Sequence, residues 1–143
     1  MELSNISNIL GEKETPREGS LSPLDLMEMS NRGVTKESLI RLTKHLGFSL
    51  RQMAEVLSVT DRTIQRYGRK HRFNRTVSEQ ILQITEVAVR GEEIFGNKER
   101  FLSWIKSPCP ALGNRTPASL LGSRFGSAMV LDELGRIEHG IVS

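Results

Sequence analysis

The chain has 143 residues, a formal net charge of +3, one cysteine, one tryptophan and one tyrosine. That length can bury a core without disulfides, and a lone cysteine excludes both an internal disulfide and a cysteine-based zinc site. Residues Met1–Leu10 carry no basic side chain and no long apolar run, and no stretch approaches a membrane span. That is not the pattern of a secretory leader, so the expected compartment is the cytoplasm.

Residues 1–20 read as a flexible or partly helical N-terminal segment: Met1–Leu10 is either a short helix or disordered, and GEKETPREGS (11–20) is a linker. Ser22-Pro23 gives a cap followed by proline at the first helical position. A helix with Leu24, Leu26, Met27 and Met29 follows and stops at Gly33. Thr35 caps the next, whose inner face is Leu39, Leu42 and Leu46, and Gly47 ends it. Ser49 opens a third helix to about Leu57, and Thr60 opens a fourth to about Arg69.

Thr76-Val77-Ser78-Glu79 has the spacing of a capping box, and Val77, Ile81, Ile84, Ala88 and Phe95 recur on one face of a long helix ending at Gly96. Asn97 starts a sixth helix with Phe101, Leu102, Trp104 and Ile105, running until Pro108. After the loop around Cys109, Thr116-Pro117 starts a short helix, and a last one spans about Phe125–His139. Its apolar stripe is read as Phe125, Met129, Leu131, Leu134 and Ile137. Valine and isoleucine fall at helical spacing throughout, so the fold class is all-α.

Charge is unevenly spread. Residues 32–75 hold eleven Lys and Arg against three acidic residues, leaving +8, whereas residues 1–31 carry −4. A basic block suits phosphate but equally suits a solvated face.

The segment from Ser49 to Tyr67 favours the first reading. A helix-turn-helix needs a small residue where two helices cross, apolar residues that lock the pair, and a short connection. Ala54 is the small residue; Leu50, Met53, Leu57, Val59 and Ile64 are the lock; Ser58-Val59 is the connection. The second helix then lies in the DNA major groove and presents Thr60, Arg62, Thr63, Gln65 and Arg66 to base edges. Ser49 and Arg51 at the start of the first helix complete the expected DNA-binding set. Lys70, His71, Arg72 and Arg75 follow as phosphate contacts. The same pattern is open to reading as a plain helical hairpin, and Tyr67 as either core or base-stacking.

Catalysis is not expected. His45, His71 and His139 lack metal-ligand spacing, no glycine loop is arranged for phosphate, and Glu92-Glu93 and Asp132-Glu133 are consecutive and so do not share a helix face. No catalytic residue, metal or cofactor is assigned.

From Ala88 onward the chain resembles the toxin-binding domain of the Xre/MbcA/ParS family of antitoxins. The resemblance rests on Ile94-Phe95-Gly96, Trp104, Pro110-Ala111-Leu112-Gly113, Arg115-Thr116-Pro117, Leu120-Leu121, Gly126 and Leu134-Gly135-Arg136-Ile137-Glu138-His139-Gly140. With the helix-turn-helix it covers about residues 33–143. Asn114 replaces a common glycine, but asparagine tolerates the same left-handed backbone. Cys109 stands where a polar residue is usual.

The resemblance implies a helix-turn-helix DNA-binding domain at 21–75 and a small helical toxin-binding domain at 76–143. It implies an antitoxin that blocks the active site of a RES-domain toxin acting on NAD, and that represses the shared promoter. The partners would be that toxin and operator DNA, with the chain a homodimer or part of a larger assembly with toxin, and no membrane. Arg136, His139, Gly140, Ile141, Val142 and Ser143 are the candidate toxin contacts: an Ile-Val tail behind a glycine suits insertion into a cleft. The same tail could fold on its own core, and Arg136 could be a surface arginine. The rival reading is a stand-alone repressor whose C-terminal half dimerises.

Overall fold

The computed structural model describes residues 3–11 and 22–140, without side-chain detail at 3–5 and 7. Eight α-helices are seen there: α1 (Leu3–Leu10), α2 (Pro23–Arg32), α3 (Lys36–Leu46), α4 (Leu50–Val56), α5 (Asp61–Arg66), α6 (Arg75–Phe95), α7 (Lys98–Ile105) and α8 (Arg124–Glu138). Two 3₁₀ turns, Pro110–Leu112 and Pro117–Leu120, link α7 to α8. No strand forms among the described residues; Thr35–Arg72 and Cys109–Arg115 are isolated bridges.

Local chemistry sets most boundaries. Ser22 accepts from the Asp25 amide at 3.1 Å while Asp25 accepts from the Ser22 amide, a reciprocal box ahead of Pro23. Thr35, Ser49, Thr60 and Asn97 cap α3, α4, α5 and α7 through the amide three residues on. Gly47 and Gly96 end α3 and α6 in the left-handed conformation.

The 21-residue helix α6 is the axis of the molecule. It packs against α1, α2, α3, α7 and α8. Ile81, Leu82, Ile84, Val87, Ala88 and Val89 are all buried, which exceeds the single stripe of a surface helix. Its buried hydroxyls are satisfied: Ser78 donates to the Phe73 carbonyl and accepts from the Val34 amide, and Thr85 donates to the Ile81 carbonyl. On one side α1 sets Ile6 and Leu10, both fully buried, into the core. On another, His45 of α3 meets Glu92 of α6 at 2.7 Å.

Four sequence expectations are corrected. The long helix begins after Asn74, not Thr76: Asn74 accepts from the Val77 amide at 2.9 Å. Ser78 turns inward to its buried partners, and Glu79 approaches Arg75 at 3.8 Å rather than reaching back to a cap. The fourth helix stops at Arg66 rather than Arg69, because Tyr67 is extended. The sixth stops at Ile105, short of Pro108. The last helix buries Gly126, Ser127, Val130, Glu133 and Leu134, while Phe125 and Met129 of the expected stripe face outward.

In the Cys109 loop, the Cys109 carbonyl accepts from Leu112 and Asn114, and its amide donates to the Arg115 carbonyl. Asn114 adopts φ 61°, the left-handed turn expected of it. Cys109 itself is buried and free.

Candidate nucleic-acid interface

Helices α4 and α5 form a tight pair. Ala54 at 2 % exposure lets them cross closely, and Met53, Leu57 and Ile64 are buried at the crossing, with Leu50 and Val59 partly buried around it. The Val59 amide donates to the Ala54 carbonyl and the Leu57 amide to the Met53 carbonyl, closing the connection. Its corner is Ser58, at φ 57°.

A left-handed serine costs about 1–2 kcal/mol, against about 0.5–1 kcal/mol for the extra unfolded freedom of glycine. Ser58→Gly is therefore expected to raise stability by about 0.5–1 kcal/mol. A thermal melt with no upward shift would refute the strain.

The expected DNA-binding residues divide by what they already hold. Arg51, Arg62, Gln65, Arg66 and Lys70 are exposed. Ser49 is engaged in its cap: it accepts from the Gln52 amide, and Gln52 accepts from the Ser49 amide. Thr60 caps α5 and lies 2.7 Å from the Thr63 hydroxyl, so these two hydroxyls are partly committed to each other. Arg72 donates to the Gly33 carbonyl at 2.8 Å, tying the segment after α5 to the α2–α3 junction. The structure thus groups Arg62, Gln65 and Arg66 on α5, with Lys70 just beyond it, and places Arg72 apart with one nitrogen in use.

Sequence reasoning missed Lys36. Its ammonium donates to the Tyr67 carbonyl at 2.7 Å and reaches the Gln65 carbonyl at 3.4 Å. The Lys36 amide also donates to the His71 carbonyl, and the Glu37 amide to the Arg69 carbonyl. The N-terminus of α3 therefore holds the C-terminal end of α5, a cation on carbonyls that lack helical partners. Nothing local signals this, since the partners lie 29 and 31 residues apart.

Tyr67 stacks on His71, with ring centroids 3.6 Å apart, and Phe73 meets both edge-on. Of the two readings left open for Tyr67, packing is the one this geometry supports.

The C-terminal half approaches the same unit from behind. A Cβ at Gly122 would strike the Val56 carbonyl, so the loop before α8 lies directly on the end of α4. Gln80 donates to the Gly122 carbonyl, and Lys106 to the Gly47 carbonyl. Arg136 pairs at 2.8 Å with Glu133, which is only 1 % exposed, and so serves its own helix. Glu138 is held by Arg90 at 2.9 Å. His139 and Gly140 are exposed at the end of α8, where Gly140 takes φ 74°. Ile141, Val142 and Ser143 lie outside the described residues.

Among the described residues no three His, Cys, Asp or Glu side chains group to hold a metal, and no helix is long and apolar enough to cross a membrane.

Comparison with known proteins follows the same division. Residues 25–85 match the model of an antitoxin Xre-like helix-turn-helix domain, and residues 90–140 match that of the antitoxin Xre/MbcA/ParS C-terminal toxin-binding domain. The chain is 34 % identical over 94 residues to "Antitoxin Xre" of Photorhabdus laumondii, covering 62 % of this chain and 64 % of that one. It is 36 % identical over 96 residues to "Antitoxin Xre" of Yersinia enterocolitica, covering 63 % and 64 %. These matches thus span just under two thirds of the length of each relative. A more distant relative, "Prs ADP-ribosylating antitoxin" of Sphingobium sp., is 26 % identical over 129 residues, covering 83 % and 81 %.

Proposed function

Because the chain belongs to the Xre/MbcA/ParS family of antitoxins, we propose that it binds and blocks the active site of a RES-domain toxin that acts on NAD, and that it represses its own operon. The observation that carries this reading is the joining in one chain of a helix-turn-helix unit, with an exposed basic α5, and a toxin-binding domain. The first implies DNA as a partner and the second implies a toxin. The name of the Sphingobium relative refers to ADP-ribosylation, a chemistry that draws on NAD and so agrees with the toxin class proposed.

Residues 21–75 are the DNA-reading unit and 76–143 the toxin-binding unit, acting in the cytoplasm without catalysis by this chain. Ser49, Arg51, Thr60, Arg62, Thr63, Gln65, Arg66, Lys70 and Arg72 contact the operator. Arg136, His139, Gly140 and the tail Ile141, Val142 and Ser143 contact the toxin, with the tail entering its cleft.

The test is co-expression with the toxin encoded beside it. The full chain should restore growth. A chain lacking Ile141–Ser143 should fail to do so, while still retarding the upstream promoter fragment in a gel shift. Full neutralisation by the shortened chain would remove the tail from the mechanism. A full chain that shifts the promoter but never neutralises any neighbour would instead be a stand-alone repressor.

A further inference from the structure

Helix α5 runs from Asp61 to Arg66, under two turns, and packs on α4 through the buried Ile64. A helix that short does not hold its own course, so what grips its two ends decides where its side chains point. Thr60 caps the N-terminal end. At the other end Tyr67 is extended, so no further turn supplies donors to the last carbonyls.

The segment beyond α5 is tied down by its backbone. The Glu37 amide donates to the Arg69 carbonyl, the Lys36 amide to the His71 carbonyl, and the Phe73 amide to the Val34 carbonyl. Those bonds fix residues 69–73. The Lys36 ammonium does something different. It takes the Gln65 carbonyl at 3.4 Å and the Tyr67 carbonyl at 2.7 Å, on either side of Arg66. Gln65 and Arg66 are two of the exposed side chains proposed above to read bases.

Local chemistry argues against a lysine at this position. Lys36 is the first residue of α3, where a cation meets the positive end of the helix dipole. It is half-buried, and its long stem loses rotamer freedom there. Nothing within α3 offsets either cost. The offset lies in the carbonyls 29 and 31 residues away.

We propose that Lys36 is a positioning residue for base recognition: without touching DNA, its ammonium fixes the end of α5 so that Gln65 and Arg66 meet base edges in register. This role rests on the DNA reading proposed above. Bidentate contact of arginine with guanine, or of glutamine with adenine, needs two well-aligned hydrogen bonds at once. A small pivot of α5 therefore removes discrimination, while phosphate contacts through flexible side chains survive it.

Fluorescence anisotropy of the full chain with the upstream promoter fragment and a scrambled duplex, over a salt series, tests it. Lys36→Met keeps the apolar stem and removes the ammonium. The ratio of promoter to scrambled affinity should fall by about 5- to 30-fold. Affinity for the scrambled duplex and its salt slope should stay at the wild-type values, whereas loss of a direct phosphate contact would lower that slope by about 0.9. The melting curve should move little, because relief at the start of α3 opposes the lost bonds. Lys36→Arg, which can still donate to two carbonyls, should restore most of the ratio. Lys44→Met, which removes the same charge from an exposed position at the other end of α3, should leave it unchanged. Added to Arg66→Ala, Lys36→Met should cost less discrimination than the two changes summed, because it acts through Arg66.

An unchanged ratio in Lys36→Met would overturn the proposal. So would an equal loss on both duplexes, the mark of a smaller folded fraction or of a phosphate contact, or the same loss in Lys44→Met. A wild type that does not distinguish promoter from scrambled duplex would instead overturn the DNA reading, and this role with it.

Discussion

Phe101→Ala is expected to remove about 3–5 kcal/mol of folding stability, the usual cost of deleting a fully buried phenyl ring. Phe101 is wholly buried and lies among Phe95 and Trp104, with ring centroids 6.3 and 6.4 Å away. Its place against α6 depends on Gly91, where a Cβ would run into the ring. Gly91→Ala is accordingly expected to cost about 1–3 kcal/mol by overpacking. Combined with Phe101→Leu, which opens space there, it should cost less than the two separate changes summed.

Both halves of the molecule share α6. Denaturant unfolding of Phe101→Ala should therefore move as a single transition, with Trp104 fluorescence and far-UV circular dichroism coinciding. A loss below 1 kcal/mol, or two separated transitions, would contradict this account of the core.

Arg62→Ala combined with Arg66→Ala is expected to lower affinity for the upstream operator by roughly 30- to 10⁴-fold, at about 1–3 kcal/mol for each base-reading arginine. Both side chains are exposed on α5 and hold no hydrogen bond among the described residues. The end of that helix is held by Lys36, so their loss should leave its position intact. Affinity for an unrelated duplex should fall much less, since phosphate contacts carry it. Lys70→Ala is the contrast. It should weaken binding to every sequence alike and reduce the salt slope by about 0.9. Fluorescence anisotropy with operator and scrambled duplexes over a salt series separates the two. Equal footprints for the wild type and the double variant would remove α5 from base reading.

The helix-turn-helix was legible because its signals are local. The cap at Ser49, the small Ala54 and the cap at Thr60 lie within 12 residues, and each acts on a neighbour. The start of α6 was misread for the same reason. Asn74 and Thr76 both head plausible caps, and the choice falls to Ser78, whose hydroxyl serves the Val34 amide 44 residues away. The last helix was misread because its inner face looks polar. Gly126 is there because a Cβ would strike the Leu120 carbonyl, Ser127 bonds the Leu121 carbonyl, and Glu133 pairs with Arg136. Apolar periodicity therefore found Leu134, which is buried, and Leu131, which is partly so, but set Phe125 and Met129 on the same stripe although both are exposed.

Taken by itself, then, the sequence determined an all-helical chain, most helix ends, the α4–α5 pair and the family. Caps, left-handed glycines and apolar spacing act over three or four residues, so a linear reading reaches them. Only the tertiary structure decided which arginines stay free for a partner, what holds the end of α5, and that Phe125 and Met129 face outward rather than into the core. Those outcomes depend on carbonyls and side chains brought together from distant parts of the chain, and a buried polar group takes whichever partner the packing supplies.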